Sequence, residues 1–398
     1  MWPYRPLTTV FLLAPVVFSF ALALDTYMPA IPEMRQALNT NKEMVQLTLS
    51  LFFLITGFGQ LILGPISDQF GRYKTLITSA VIFLIGSFLC TQVNSVMLLI
   101  VYRIIEAIGA CGLFVTAFAV VRDAFSGNKS AMIYSFLNAM ISISPILGPI
   151  IGVMLIRFFS WHSVFYFLTL LGIITLLLLI FLAKESLPLN RRKPMNLEVF
   201  KRYFIITRSL TFWAYTLPAT AGVSAFFTLF SMTPYIITTL HESTDKIAIF
   251  FGMAGAAFLV GSVIAGSIVH KLGIMKTTLI GTLAIFASAV ILLMVFFIDG
   301  LSLWGFFAPC MLATFGCALT AGAGASGAME PFGEFPGAAS AVFGSMEMGG
   351  SAVIGSIATL FPLNTSMPLG FTMLVMSLLS LLLLLLLSAN KKTSLKPA

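Results

Sequence analysis

Twelve mostly apolar runs, each about 20 residues or longer, follow one another along the chain, and no other feature constrains its fold as tightly. They cover 8–30, 45–65, 75–94, 97–119, 131–156 and 163–183, then 209–238, 247–269, 277–298, 301–325, 337–361 and 366–389. Each is long enough to cross the ~30 Å hydrocarbon core of a bilayer as a helix. Each must be helical, because lipid offers backbone amides and carbonyls no partner and an open strand would leave them bare. Composition agrees. Charged residues make up 9% of the 398-residue chain, against about 25% in soluble domains, and mean hydropathy is +1.03. The expected fold class is an all-α polytopic membrane protein with 12 transmembrane helices.

The net charge of +8 does not point to nucleic acid, because the basic residues lie in short loops between apolar runs. With the N-terminus inside, the inner loops hold Arg5, Arg72, Lys74, Arg122, Lys129, the cluster from Lys184 to Arg208, Lys271, Lys276, Lys391, Lys392 and Lys396. The outer loops hold Arg35, Lys42, Arg157 and Lys246. An excess of Lys and Arg marks the cytoplasmic side, so both termini are expected in the cytoplasm. The first run leads to Asp25 and Pro29 rather than to a small-residue cleavage site, and reads as a retained span. Cys90, Cys111, Cys310 and Cys317 all fall in apolar runs without metal spacing, and Cys310 and Cys317 lie too far apart on one helix to bridge. No metal or cofactor is expected, and the sequence has neither a phosphate-binding loop nor a nucleophile elbow, which argues against an ATP-driven pump or an enzyme.

The one long charged interval, 184–208, reads as a cytoplasmic linker between an N-terminal six-helix bundle (1–183) and a C-terminal one (209–398). Its amphipathic part, near Leu197 to Phe204, suits a membrane surface. A constant shift pairs Pro32, Gly64, Gly71, Lys74 and Gly148 with Pro234, Gly266, Gly273, Lys276 and Gly350, which suggests a duplicated six-span unit. Internal repeats of this kind are the hallmark of secondary transporters, with the substrate site near the midplane between the halves.

Local patterns carry the chemistry. Residues 64–74 read GPISDQFGRYK. Here Gly64 would let two helices approach, Asp68 would end a helix, Gly71 would permit a tight turn, and Arg72 and Lys74 would pair with acids at neighbouring helix ends. In the second copy His270 stands where Asp68 does. The fourth run buries Arg103, with Glu106 one turn further on. That is either a structural ion pair or an arginine tuning a proton-carrying acid. The fifth run holds Pro145, Gly148, Pro149 and Gly152. Its prolines remove backbone donors, and its glycines would allow close contact with the eleventh run, which has Gly344, Gly349, Gly350 and Gly355. Asp25 lies among apolar residues at the end of the first run, as a wetted helix-end acid or as a proton site facing a cavity. Glu347 is a third interior acid, proton-carrying or water-facing. Tyr27, Gln60, Trp213, Phe226, Phe227 and Phe230 are candidates for lining an apolar cavity.

These patterns resemble the major facilitator superfamily, and within it the twelve-span drug:H+ antiporters of the Bcr/CflA (bicyclomycin/chloramphenicol resistance) branch. Residues 64–74 resemble the family loop that latches the cytoplasmic side closed. Residues 103–107 resemble its Arg-x-x-Gln-Gly pattern, with Glu106 for Gln and Ala107 for Gly. Residues 145–152 are similar to the antiporter motif, which marks exporters more than importers. Asp25 with Gln60, Val121-Arg122-Asp123 and Glu330-Pro331-Phe332-Gly333 resemble this branch, which usually has Gln at the position of Glu347. Trp161-His162 is family-like, although the family usually has Arg at His162, and His162 is given no catalytic role. The resemblance implies a major facilitator fold of two pseudo-symmetric six-helix halves. It also implies a proton-coupled exporter of small amphipathic compounds working by alternating access. Its partners would be protons, a small-molecule substrate and the lipid bilayer, with a monomer sufficing. An exporter of one metabolite or siderophore, a proton-symporting importer and a non-transporting membrane protein are the competing readings.

Overall fold

The structure, a computed structural model, describes residues 2–192, 197–243, 245–362 and 364–394. Among the described residues there is no strand, and 12 helices are long and apolar enough to cross a membrane. The first six are α1 (Pro6–Asp25), α2 (Lys42–Phe70), α3 (Arg72–Cys90), α4 (Val96–Ala124), α5 (Gly127–Phe158) and α6 (His162–Leu182). After them come α7 (Leu210–Thr239), α8 (Asp245–Leu272), α9 (Ile274–Asp299) and α10 (Leu303–Met329). The eleventh span, α11, is built from Pro336–Gly344, a π-helical turn Ser345–Gly349 and Gly350–Thr359, and α12 is Met367–Ser394.

Every apolar run became a span, but most helices overshoot it. Hydropathy falls where charge begins, whereas a helix continues until its backbone groups find another partner. Thus α2 starts at Lys42, where the Asn41 side chain accepts from Met44 N at 2.9 Å. It runs through Asp68 and stops only at Gly71, whose φ of +96° no L-residue adopts readily. Asp68 therefore lies in the last turn of α2, two residues before its end at Phe70. Ser209 and Ser302 cap α7 and α10 in the same way as Asn41 caps α2.

The chain divides into two compact units, Met1–Val199 and Phe200–Ala398. In the first, α1 packs on α4, α5 and α6, α4 on α2 and α3, and α3 on α6. In the second, α7 packs on α10, α11 and α12, α10 on α8 and α9, and α9 on α12. Each pairing of the first unit thus recurs in the second with the helix number raised by six, as a duplicated unit requires. Lipid is as apolar as leucine, so close contact rather than water exclusion drives these pairings. The α3–α4 seam shows how: an added Cβ at Gly86 would overlap the Glu106 backbone, and one at Gly109 the Phe83 backbone.

A 3-10 turn at Leu189–Arg191 lies near the end of the first unit, and a helix, Leu197–Thr207, runs across the boundary at Val199, with Phe200 and Phe204 exposed. Residues 193–196 of the expected linker, and Lys396, lie outside the described residues. All four cysteines are buried and free.

Candidate functional site

Asp25 closes α1 and is buried. Its Oδ2 accepts a hydrogen bond from Ser144 Oγ at 2.6 Å, and among the described residues no cation pairs with it. Ser144 precedes Pro145 on α5. One turn on, a Cβ added to Gly148 would overlap the Asp25 Cβ and lie 3.0 Å from the Asp25 carbonyl carbon. At Gly152 it would overlap the Thr26 carbonyl oxygen and meet Pro29 at 3.2 Å. The close neighbours of these glycines are on α1. The glycines of α11 find theirs on α7, Gly350 against Thr220 and Gly355 against Phe227. Pro145 and Pro149 lie inside a helix that continues through both.

Arg103 on α4 is fully buried. Its Nη1 donates to Glu106 Oε2 at 2.6 Å and to the Ala23 carbonyl at 3.2 Å. The guanidinium lies 4.4 Å from the Tyr27 ring centre and 4.2 Å from that of Phe52, while Nε and Nη2 have no hydrogen-bond partner. The other oxygen of Glu106 accepts from Ser87 Oγ at 2.7 Å. Arg103 is thus spent on the acid one turn along its own face, leaving a neutral pair between aromatic rings. It reaches α1 two residues before Asp25 and does not ion-pair with Asp25, so direct tuning of Asp25 is not what this arrangement provides.

Of the expected cavity residues, Tyr27 is fully enclosed, with its ring beneath Arg103 and its hydroxyl bonded to Thr48. Phe227 is fully buried against Gly355. Trp213 Nε1 donates to the Thr207 carbonyl at 2.7 Å and ties α7 to the helix before it. Gln60 is buried on α2. Phe230 is buried, stacks on Phe251 and packs against Phe226. Tyr27 and Phe227 are thus enclosed by packing contacts, whereas Trp213 is partly exposed. His162 stacks on Trp161, with its Nε2 3.4 Å from the Val93 carbonyl, a structural role.

The loop at Gly71 is an ion-pair cluster. Arg72 is buried and donates to Asp68 Oδ1 at 2.5 Å, Asp123 Oδ2 at 2.6 Å and Ser67 Oγ at 2.9 Å. Its backbone amide donates to Glu185 Oε1 at 2.9 Å, and Arg192 holds the other Glu185 oxygen at 3.1 Å. Glu185 therefore sits at the positive end of α3. Lys74 is exposed. Gly64 makes no close helix approach, since an added Cβ would meet only Val115 at 3.9 Å. In the second unit Gly273 has φ +81° but no neighbour within 4 Å of an added Cβ, and His270 and Lys276 are exposed. Sequence reading missed Glu185 and Arg192 as partners of this loop, and the only available signal was their place at the start of the charged interval.

The two glycines make a built-in comparison. Gly71→Ala and Gly273→Ala each force an L-residue to positive φ, at about 1–2 kcal/mol. At Gly71 the new Cβ also overlaps Glu185 Oε2 and lies 2.5 Å from Arg192 Nη2. Both atoms are the ends of flexible side chains that can swing away, so the extra cost is that of the displaced Glu185 hydrogen bonds, and Gly71→Ala is expected to lower thermal stability of the purified protein by about 0.5–1.5 kcal/mol more than Gly273→Ala. Equal losses would show that the Glu185 clamp contributes nothing.

Glu347 occupies the π-helical turn of α11, a local irregularity that the sequence pattern did not reveal. π turns hold an extra residue in the helix and concentrate at functional sites. Glu347 as a whole is partly buried, and its carboxylate makes no hydrogen bond or ion pair among the described residues. Thr220 Oγ1 donates to the neighbouring Met346 carbonyl at 3.2 Å, and Ser351 Oγ donates to the Thr220 carbonyl at 3.1 Å. Among the described residues no group of three or more His, Cys, Asp or Glu is placed to hold a metal ion.

Comparison with known proteins agrees with this architecture. Residues 13–356 match the family model of the Major Facilitator Superfamily. A chloramphenicol resistance protein of Pseudomonas aeruginosa is 30% identical over 373 residues, covering 92% of this chain and 87% of the relative. The multidrug resistance protein MdtL of Salmonella typhimurium is 25% identical over 389 residues, covering 95% of each. Among solved structures, the peptide transporter POT in complex with sulfate superposes with a TM-score of 0.77 at 13% identity, over 97% of this chain and 94% of that one. The human organic anion transporter MFSD10 (TETRAN) gives 0.66 at 18% identity, over 95% and 98%. With twelve spans, a repeated six-helix pairing and a family match over most of its length, this chain belongs to the Major Facilitator Superfamily and is a multi-pass membrane transporter of small molecules.

Proposed function

We propose that the chain is a proton-coupled exporter of small amphipathic compounds, a drug:H+ antiporter of the bacterial inner membrane. The observation that carries this reading is Asp25, a buried acid whose hydrogen-bond partner, Ser144, is neutral. A carboxylate buried without a cation is costly. It is relieved by taking up a proton, or by a rearrangement that brings in water or a substrate. Each state of Asp25 then favours a different arrangement of α1 against α5, and coupling requires just such a differential preference. The seam is unusually sensitive, because Gly148 and Gly152 leave no slack between the two helices. The names of the chloramphenicol and multidrug resistance relatives support export of drugs.

The excess of Lys and Arg on one side supports cytoplasmic termini and a cytoplasmic linker at 184–208 between six-helix halves at 1–183 and 209–398. The Arg72 cluster with Asp68, Asp123 and Glu185 would then act as the cytoplasmic latch. A monomer suffices for this mechanism.

The test is drug-dependent proton release from energised everted vesicles, followed with a pH-sensitive dye. Chloramphenicol and cationic antibiotics are expected to release protons from wild-type vesicles, and Asp25→Asn to abolish the response while inserting normally. Wild-type-like release in Asp25→Asn would remove Asp25 from the mechanism. Uptake of substrate together with protons would overturn export.

A further inference from the structure

The helix Leu197–Thr207 has 11 residues, too few to cross a bilayer. Its two sides differ. Tyr203 and Ile206 are buried, whereas Phe200, Phe204 and Ile205 are exposed. An exposed row of large apolar side chains in a short charged segment marks a contact surface, for lipid or for a protein.

The place of the helix decides between them. A single residue, Ser209, separates Arg208 from the start of α7 at Leu210, and its side chain caps α7 by accepting from Phe212 N at 3.3 Å. Trp213, in the first turn of α7, donates from Nε1 to the Thr207 carbonyl at 2.7 Å. The end of the helix is thus pinned to the mouth of a span. A face held there lies where hydrocarbon gives way to headgroups, the zone that amphipathic helices and indole rings occupy.

Charge selects the headgroup. Phe200, Lys201, Phe204, Ile205 and Arg208 fall on one side of a 3.6-residue repeat, and Lys201 and Arg208 are both exposed. The Arg208 guanidinium stacks 4.2 Å from the centre of the Phe204 ring, which keeps its charge on that side. Lys201 makes no hydrogen bond or ion pair among the described residues. The one acid of the helix, Glu198, stands in the first turn, where the helix dipole favours it. Two cations set among apolar side chains match a phosphodiester with acyl chains attached. Long basic stems lie along apolar surface while their heads stay in the headgroup layer, and basic residues on an amphipathic helix attract anionic lipid.

We infer that the exposed face of Leu197–Thr207, with Lys201 and the adjoining Arg208 as its charges, is a docking surface for an anionic phospholipid. The two cations hold the phosphate, and Phe200, Phe204 and Ile205 meet the acyl chains. A zwitterionic lipid offers the same chains without a net charge and is held less tightly. The inference is independent of the direction and coupling of transport.

The test is native mass spectrometry of the full-length protein in detergent micelles, titrated with phosphatidylglycerol or phosphatidylcholine. The wild type is expected to prefer phosphatidylglycerol. The double variant Lys201→Gln with Arg208→Gln should weaken phosphatidylglycerol binding at least about tenfold relative to phosphatidylcholine, the scale of two basic residues near an anionic headgroup. Phe204→Ser should weaken both lipids. Lys271→Gln, which removes an exposed charge in the last turn of α8, should leave the preference within about twofold of wild type. A preference undiminished in the double variant would overturn the inference. So would an equal loss in Lys271→Gln, which would assign the preference to diffuse charge. A wild-type dimer that Phe204→Ser dissolves would give the face to a second copy of the chain and overturn it as well.

Discussion

Gly148→Ala is expected to cut drug-dependent proton release at least about tenfold while the protein still inserts, because forcing a methyl group into a full seam costs about 1–3 kcal/mol and 1.4 kcal/mol is a factor of ten. The new Cβ overlaps the Asp25 Cβ and stands 3.0 Å from the Asp25 carbonyl carbon. Neither atom belongs to the end of a flexible side chain, so α1 and α5 must separate. Separation strains the 2.6 Å bond from Ser144 to Asp25, the contact on which the proton reading depends. The right control is Gly266→Ala, where an added Cβ meets nothing within 4 Å and helix propensity improves by about 1 kcal/mol. That variant is expected to transport within about twofold of wild type, as a surface change away from special features should. Wild-type proton release in Gly148→Ala would mean that the tight α1–α5 seam has no part in coupling. Transport of the purified, reconstituted variants measures both.

Much of the fold was legible, because lipid leaves a chain few options. A run long enough to cross hydrocarbon must be helical, and twelve runs gave twelve spans. The chemistry of Arg103 was half legible. Glu106 lies three positions on, and that spacing is a contact in any helix, whereas the Ala23 carbonyl and the Tyr27 and Phe52 rings come from other helices. The same limit hid Ser144 as the partner of Asp25. Which face of α5 meets α1 depends on rotation about the helix axis, and spans that are apolar all round carry little pattern to report it. The glycines of α5 and α11 were read as contact points, but that those of α5 meet α1 and those of α11 meet α7 was hidden for the same reason. Phe227 and Tyr27 looked like cavity aromatics, since sequence cannot distinguish a ring on a wall from a ring pressed against Gly355 or a guanidinium. Glu185 and Arg192 were hidden for another reason: their partner, the Gly71 turn, is more than a hundred residues away in sequence. The π turn at Glu347 had no signal beyond the surrounding glycines.

Arg103→Leu is expected to be the most damaging single change. It leaves Glu106 fully buried with one neutral donor, Ser87, at 2.7 Å, and breaking a buried ion pair from one side costs about 3–5 kcal/mol. Loss on this scale should appear as poor insertion and a lowered melting temperature, whatever the pair does in transport. Glu106→Gln alone also breaks the pair from one side and leaves a guanidinium that cannot shed its charge, so its cost should be of the same order, offset in part by the Tyr27 and Phe52 rings and the Ala23 carbonyl. The double variant Arg103→Leu with Glu106→Gln removes both charges, and replacing a buried pair as a whole is often close to neutral. It is therefore expected to recover most of the stability lost in Arg103→Leu, and a thermal-unfolding mutant cycle would read the difference as coupling energy. The same variants decide what the pair is for. If Arg103 and Glu106 neutralise each other as a structural unit and the proton belongs to Asp25, the double variant should regain most of the drug-dependent proton release that Arg103→Leu loses. A double variant that folds like wild type yet releases no protons would place the pair on the proton path instead, and Asp25 would no longer suffice as the coupling acid.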